Sequence, residues 1–291
     1  MEKFKDMRKY TYKLKTLSPL ILSPRSSMAF YKDALINDCD EEYFKTTYID
    51  DKEKEQEKSY KILYSFYRYG EYDLFNPSEA QYYIPGSSIK GALNLERKNK
   101  ANSSLSFFVD DITGFTGGNF EIISLKKSQY LEALSNEENK KTPKITYFFD
   151  GTVGIEVMKK DVAFTGGIRF CGEDINGMFE YATNQSHERL ERYRKQVQCF
   201  KNGNNLTNDE MGSIASHLDD PNGFDKIDKQ LDSLLDKNNL IFLGGYKGLI
   251  RSVSCEVDNF RSAIFVDNEY LPFGIVEVDL ESIKEVKSCI E

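Results

Sequence analysis

The segment Tyr83-Ile84-Pro85-Gly86-Ser87-Ser88-Ile89-Lys90-Gly91-Ala92-Leu93 constrains the fold more than any other part of the chain. The short apolar run Tyr82 to Pro85 reads as a strand. Pro85-Gly86 stops it, because proline brings no N–H to a ladder and glycine turns without steric cost. Ser87-Ser88 then caps a helix, since a serine hydroxyl accepts from the N–H groups that a first turn leaves unpartnered. The residues from Ile89 to Lys100 are mostly good helix formers. Strand, tight turn and helix are therefore expected in immediate succession.

The surrounding chain supplies similar elements. From Lys9 to Leu22, Tyr10, Tyr12 and Leu14 alternate with Lys9, Thr11, Lys13 and Lys15, the period of a half-buried strand. Between Asp38 and Tyr72 the composition turns highly charged around DDKEKEQEK. Tyr60, Leu63, Tyr64 and Tyr67 then fall at helical spacing, so an acidic loop and an amphipathic helix are expected. Phe107 to Val109 reads as a strand and Ser128 to Asn139 as a helix, with a boundary at Thr142-Pro143.

Beyond that boundary, Ile145 to Phe149, Val153 to Met158 and Val162 to Phe170 read as strands, and Gln185 to Phe200 as a helix. Two further helices are expected at Asn208 to Leu218 and Phe224 to Asn238; Leu240 to Leu243 then leads into a glycine loop, and the last strand is expected at Gly274 to Leu280. Phe115-Thr116-Gly117-Gly118 recurs as Phe164-Thr165-Gly166-Gly167, an echo that hints at duplication. The expected class is α+β: two ferredoxin-like (RRM-like) units with antiparallel sheets and glycine-rich loops. One unit spans 1–142 with an acidic helical insertion at about 34–72. The other spans 143–291 with a helical insertion at about 185–239.

Composition narrows the class of function. With 291 residues, 40% hydrophobic and 30% charged, the chain belongs with ordinary globular proteins. Its formal net charge of -8 argues against a protein that grips nucleic acid unaided. It argues less against an assembly subunit, where a local basic surface holds the nucleic acid. Cys39, Cys171, Cys199, Cys255 and Cys289 show no CxxC spacing and are odd in number, which fits a reducing cytoplasm better than a disulfide framework. The opening MEKFKDMRKY has no apolar run of a secretion signal, and no stretch reaches the length of a membrane span. A cytoplasmic location is the expectation.

Two glycine-rich segments point to anion chemistry. Gly86, Ser87 and Ser88 offer N–H and hydroxyl groups at a helix start, where the dipole favours a phosphate. Lys90 adds charge one turn in, and Gly91 lets a ribose or a backbone approach closely. The same residues also read as an ordinary capped helix packed on a strand. Lys90, Arg97, Lys98 and Lys100 against Glu96 make the region locally basic. The second segment carries Gly244, Gly245, Tyr246, Lys247, Gly248 and Arg251, a loop in which glycines wrap a phosphate, the tyrosine stacks and the cations pair with a backbone. Its spacing is neither a P-loop nor a dinucleotide fingerprint.

IPGSSIKGAL resembles the IPGSSLKGxxR signature of the RAMP superfamily, the repeat-associated proteins of type III CRISPR effector complexes. Leu17-Ser18-Pro19 resembles the family's early LSP segment, LGGYKGLIRS its late glycine loop, and Leu271-Pro272-Phe273-Gly274 the turn before its last strand. Asp161 to Ile168 resembles a further family stretch, and together these look most like the Csm-type subunit that caps the guide RNA 3′ end. The resemblance implies a non-catalytic, crRNA-binding subunit with no cofactor and no metal. It implies contacts from Gly86, Ser87, Ser88, Lys90, Gly91, Gly244, Gly245, Tyr246, Lys247, Gly248 and Arg251. The partners it implies are the guide RNA, an adjacent RAMP backbone subunit, a small helical subunit and a host nuclease.

Catalytic readings have few residues to stand on. A target-cleaving backbone subunit needs an aspartate beside the scissile phosphate, and Asp33, Asp38 and Asp40 lie in a charged stretch that reads as solvated surface. An RNA-processing relative uses a histidine, and only His187 and His217 are present, both in polar helical settings. A protein-interaction scaffold without RNA binding is the third reading, favoured by the acidic total charge.

Overall fold

The computed structural model describes residues 7–23, 29–31, 44–49, 54–69, 80–93, 106–132, 141–147, 151–202, 223–245 and 264–286. In chain order the first elements are β1 (Arg8–Thr16), β2 (Ala29–Tyr31), β3 (Lys45–Ile49), β4 (Glu55–Ser59), β5 (Ile62–Tyr64), β6 (Tyr82–Ile84) and α1 (Gly86–Leu93). There follow β7 (Ser106–Val109), β8 (Ile112–Phe115), β9 (Phe120–Ile123), β10 (Lys126–Glu132), β11 (Lys141–Tyr147), β12 (Val153–Met158) and β13 (Ala163–Cys171). The last are α2 (Ile175–Asn202), α3 (Gly223–Leu235), β14 (Leu240–Phe242), β15 (Ile264–Val266) and β16 (Ile275–Glu285).

The period-two pattern of β1 places it at the centre of a five-stranded sheet of order β14-β16-β1-β13-β7. Every neighbouring pair in it is antiparallel. Tyr10, Tyr12, Leu14 and Thr16 point into the core, whereas Lys9, Lys13 and Lys15 face solvent. Helices α1 and α2 cover the buried face, where Ile89, Leu93, Met178 and Phe179 share one cluster with Tyr12, Leu14 and Ile168. Tyr12 is opposite Gly166 in the register. A Cβ on Gly166 would come within 2.3 Å of the Tyr12 ring, so the glycine makes room for that ring, whose centroid lies 5.4 Å from that of Phe179 at an interplanar angle of 50°.

A second cluster joins α2 to α3 through Leu190, Tyr193, Val197, Ile227 and Leu231, with Leu240 and Phe242 of β14 beneath. Arg194 ties the same helices at their rim, donating to Asp228 at 3.0 Å. The four-stranded sheet β2-β5-β12-β9 contains a parallel pair, β5 with β12, and β12 is buried along its whole length. The remaining sheets are β11-β10-β15 and the pairs β3-β4 and β6-β8, all antiparallel. The class is thus α+β with largely antiparallel sheets. Strands from both sides of residue 142 share the main sheet, since β1 and β7 each pair with β13.

Several local expectations are corrected. Lys126–Glu132 pairs residue for residue with Lys141–Tyr147, so Ser128 to Glu132, expected as helix, is strand. Tyr130, Leu131 and Leu134 are too few to separate a helix face from a ladder partner, and the pairing decides. Tyr60 to Tyr67 holds β5 in place of a helix, because Tyr60 and Leu63 bury against Phe30 and Phe44 in a cluster that an extended segment completes. The insertion expected to be helical at about 34–72 contains only strands and irregular segments, apart from a single 3-10 residue at Phe44, among its described residues. The FTGG echo is not a structural repeat: Gly117-Gly118 opens a 3-10 turn, whereas Gly166-Gly167 lies within β13. Helix α2 begins earlier than expected, at Ile175, and Asn208 to Leu218 lies outside the described residues.

Candidate nucleic-acid interface

The helix expected after Tyr83 is α1, and its first residue is Gly86. That glycine is demanded by packing: a Cβ would stand 2.1 Å from the Val109 carbonyl oxygen. Its N–H donates to Asp111 Oδ1 at 2.7 Å, and the Ser88 N–H to the Pro85 carbonyl at 2.9 Å. A carboxylate of the chain itself therefore occupies part of the positive end of the helix dipole. Ser87, Lys90 and Gly91 face solvent, and around Gly91 there is open space where a side chain would stand.

Lys90 does not project freely from α1. Its Nζ lies 5.1 Å from the Phe107 ring centroid and 5.6 Å from that of Phe108, within cation–π range. Phe108 is 46% exposed, a large ring on an open sheet face. Its cross-strand partner is Arg169, which pairs in turn with Lys9 on β1. Both cations reach Asp110, at 3.0 Å from Arg169 and 3.9 Å from Lys9. The result is an edge with the exposed Lys90 ammonium, the exposed Phe108 ring and the Ser87 hydroxyl, beside Lys9 and Arg169, which are exposed but answered by Asp110.

Of the late glycine loop, Gly244 and Gly245 are described, whereas Tyr246, Lys247, Gly248 and Arg251 lie outside the described residues. Gly244 adopts φ +82, and a Cβ there would meet the Ile21 carbonyl oxygen at 2.3 Å. The Gly245 N–H donates to that same oxygen at 2.8 Å. Three of the sequence landmarks interlock at this point. The Gly274 N–H donates to Pro19 O at 2.9 Å, the Leu243 N–H to Gly274 O at 2.8 Å, and the Ile275 N–H to the buried Ser18 hydroxyl at 2.8 Å. Leu17-Ser18-Pro19 and Leu271 to Gly274 thus hold the root of the loop. Ile241 and Leu243, at that root, share a core with Ile89 and Leu93 of α1.

Strand β6, which leads into Gly86, is pinned by a buried polar network. The Tyr82 hydroxyl donates to Glu156 Oε1 at 2.5 Å and the Phe66 N–H to Oε2 at 2.8 Å. Burial pushes the Glu156 carboxyl above its ordinary range, while the two donors and the nearby Arg68 act the other way. Burial and the adjacent Glu156 raise the Tyr82 phenol, which stays a donor. The network is structural and closed to solvent.

His187 sits on α2 with Nε2 3.7 Å from Glu191 and Nδ1 buried. His217, Asp33, Asp38 and Asp40 lie outside the described residues. Sequence reasoning missed Phe108, whose exposure could have been read from its alternation with buried Phe107. It also missed Lys58, Lys126 and Tyr147, which meet in space and carry no shared sequence signal.

No family model matches the chain, and no curated protein matches it. The chain is similar to one chain of a cryo-EM structure of a Csm–crRNA–target RNA ternary complex in a type III-A CRISPR-Cas system, at 10% identity and a TM-score of 0.47. The overlap covers 94% of this chain and 100% of that one. No helix among the described residues is long and apolar enough to cross a membrane.

Proposed function

We propose that this chain is a non-catalytic, guide-RNA-binding subunit of a type III CRISPR interference complex, placed at the crRNA 3′ end and acting in its capping or maturation. The observation that carries the reading is the exposed edge of α1: Ser87, Lys90 and Gly91 beside the exposed Phe108 ring, on the segment that resembles the RAMP signature. A phosphate pairs with the ammonium and a ribose approaches the bare glycine, while a base stacks on the ring. Connectivity supports the same reading. Elements β1, α1, β7, β13, α2 and β16, with strand order β16-β1-β13-β7, follow the βαββαβ path of a ferredoxin-like unit. Because that unit takes strands from both sides of residue 142, we propose one such unit with insertions rather than two.

Lys90→Glu tests the reading by copurification with small RNA and by incorporation into a guide-loaded complex with neighbouring subunits. Both are expected to fall, with bound RNA length unchanged by His187→Ala; retained RNA in Lys90→Glu refutes the contact, and an altered RNA length refutes the non-catalytic assignment. A scaffold that binds no RNA is the second reading, favoured by Asp111 on the Gly86 N–H and the net charge of -8. Salt-sensitive binding of single-stranded RNA separates the two.

A further inference from the structure

We propose that Lys58, Lys126 and Tyr147 form a second contact for single-stranded nucleic acid, in which the two ammonium groups take one backbone phosphate and the exposed tyrosine ring takes the adjoining base. Lys126 and Tyr147 are cross-strand partners in the β10–β11 ladder. Lys58 arrives from β4, in a different sheet. Lys58 Nζ stands 4.5 Å from the Tyr147 centroid and Lys126 Nζ 5.6 Å from it. Lys126 is steadied on its other side, 4.3 Å from the Tyr270 centroid and 3.3 Å from the Tyr270 hydroxyl.

Two cations drawn to one ring repel each other. Burial first, and then the charge of Lys126, lower the Lys58 ammonium from the ordinary lysine value. No carboxylate among the described residues answers Lys58. Some other lysines of this chain do meet carboxylates: Lys15 meets Asp161 at 2.7 Å, Lys160 meets Glu269 at 2.9 Å and Lys237 meets Glu277 at 2.6 Å. The ammonium of Lys58 lies over Gly151, a residue at φ +73. An anion set between Lys58 and Lys126 relieves the repulsion.

The ring selects the kind of anion. Tyr147 is 41% exposed, and a free phosphate or an acidic peptide has no use for an aromatic face. A single strand alternates phosphate and base, and so engages both halves of the cluster. The inference does not depend on which RNA the chain carries, nor on the α1 edge.

The test is fluorescence anisotropy of a labelled oligouridine on the full chain across a salt series, with folding followed by circular dichroism. Lys58→Gln alone and Lys58→Gln/Lys126→Gln together are expected to reduce the slope of log affinity against log salt, by about 0.7 for one lost phosphate contact. Tyr147→Ala is expected to weaken binding about 5-fold or more with the slope kept, whereas Tyr147→Phe binds as the parent does. Unchanged affinity and slope in the lysine variants overturn the proposal, as does displacement of the oligomer by equimolar uridine monophosphate or by an acidic peptide. Lys90→Glu run in parallel separates the two sites. Loss in that variant with parental binding in Lys58→Gln/Lys126→Gln rejects this contact and keeps the α1 edge; the reverse keeps this contact and rejects that edge.

Discussion

Asp267 closes β15 and is buried, with Oδ1 accepting from the Glu269 N–H at 2.9 Å and the Leu271 N–H at 2.8 Å. Burial, opposed by those two donors, pushes its carboxyl from 3.8 up to about 6. In the unfolded chain the group loses its proton near 3.8, whereas in the folded chain it holds it until about pH 6. Between those values the unfolded state binds fewer protons, so stability falls as pH rises across the window and the full penalty stands above pH 6. At about 1.36 kcal/mol per pH unit the loss is about 3 kcal/mol. Asp267→Asn keeps an oxygen for both N–H donors and removes the titration. Relative to the parent, the variant is therefore expected to gain about 3 kcal/mol between pH 4 and pH 7. Urea unfolding of both proteins at intervals of pH measures the difference, and the many other carboxylates cancel between them. A parent-to-variant difference that stays constant with pH refutes the reasoning.

Gly86→Ala and Gly91→Ala are expected to move stability in opposite directions. The first forces a Cβ onto the Val109 carbonyl and costs about 2 kcal/mol or more; the second meets open space and gains up to about 1 kcal/mol from helix propensity. Equal effects in urea unfolding would contradict the close approach at Gly86. Tyr82→Phe deletes the donor to buried Glu156 and is expected to cost about 2 kcal/mol in the same assay, with a smaller loss in acid, where the carboxyl is protonated.

Legibility differed between the two halves of the candidate site. The strand, turn and helix at Tyr82 to Leu93 were readable because proline, glycine and serine act on the backbone within a few residues. The use made of each N–H was not. Whether the Gly86 and Gly245 amides meet a phosphate or Asp111 and the Ile21 carbonyl depends on segments far away in the chain. The cluster of Lys58, Lys126 and Tyr147 was illegible for the same reason: three positions on two sheets have no common spacing.

By itself the sequence determined the local alternation of β1, the presence of helix α1 after Pro85, the long polar helix within α2 and the amphipathic α3, since each depends on neighbours one to four residues off; the expected cap is displaced, because α1 starts at Gly86 and holds Ser87 and Ser88 within its first turn. Tertiary structure alone decided that 128–132 and 62–64 are strands, because a few apolar side chains satisfy a helix face or a ladder equally well until a partner strand is present. It also decided that β1 lies between β13 and β16, which unites both halves of the chain in one sheet. Backbone N–H and C=O groups must be paired wherever water is excluded, and a partner more than two hundred and sixty residues away, as Lys284 is from Thr11, leaves no trace in local pattern.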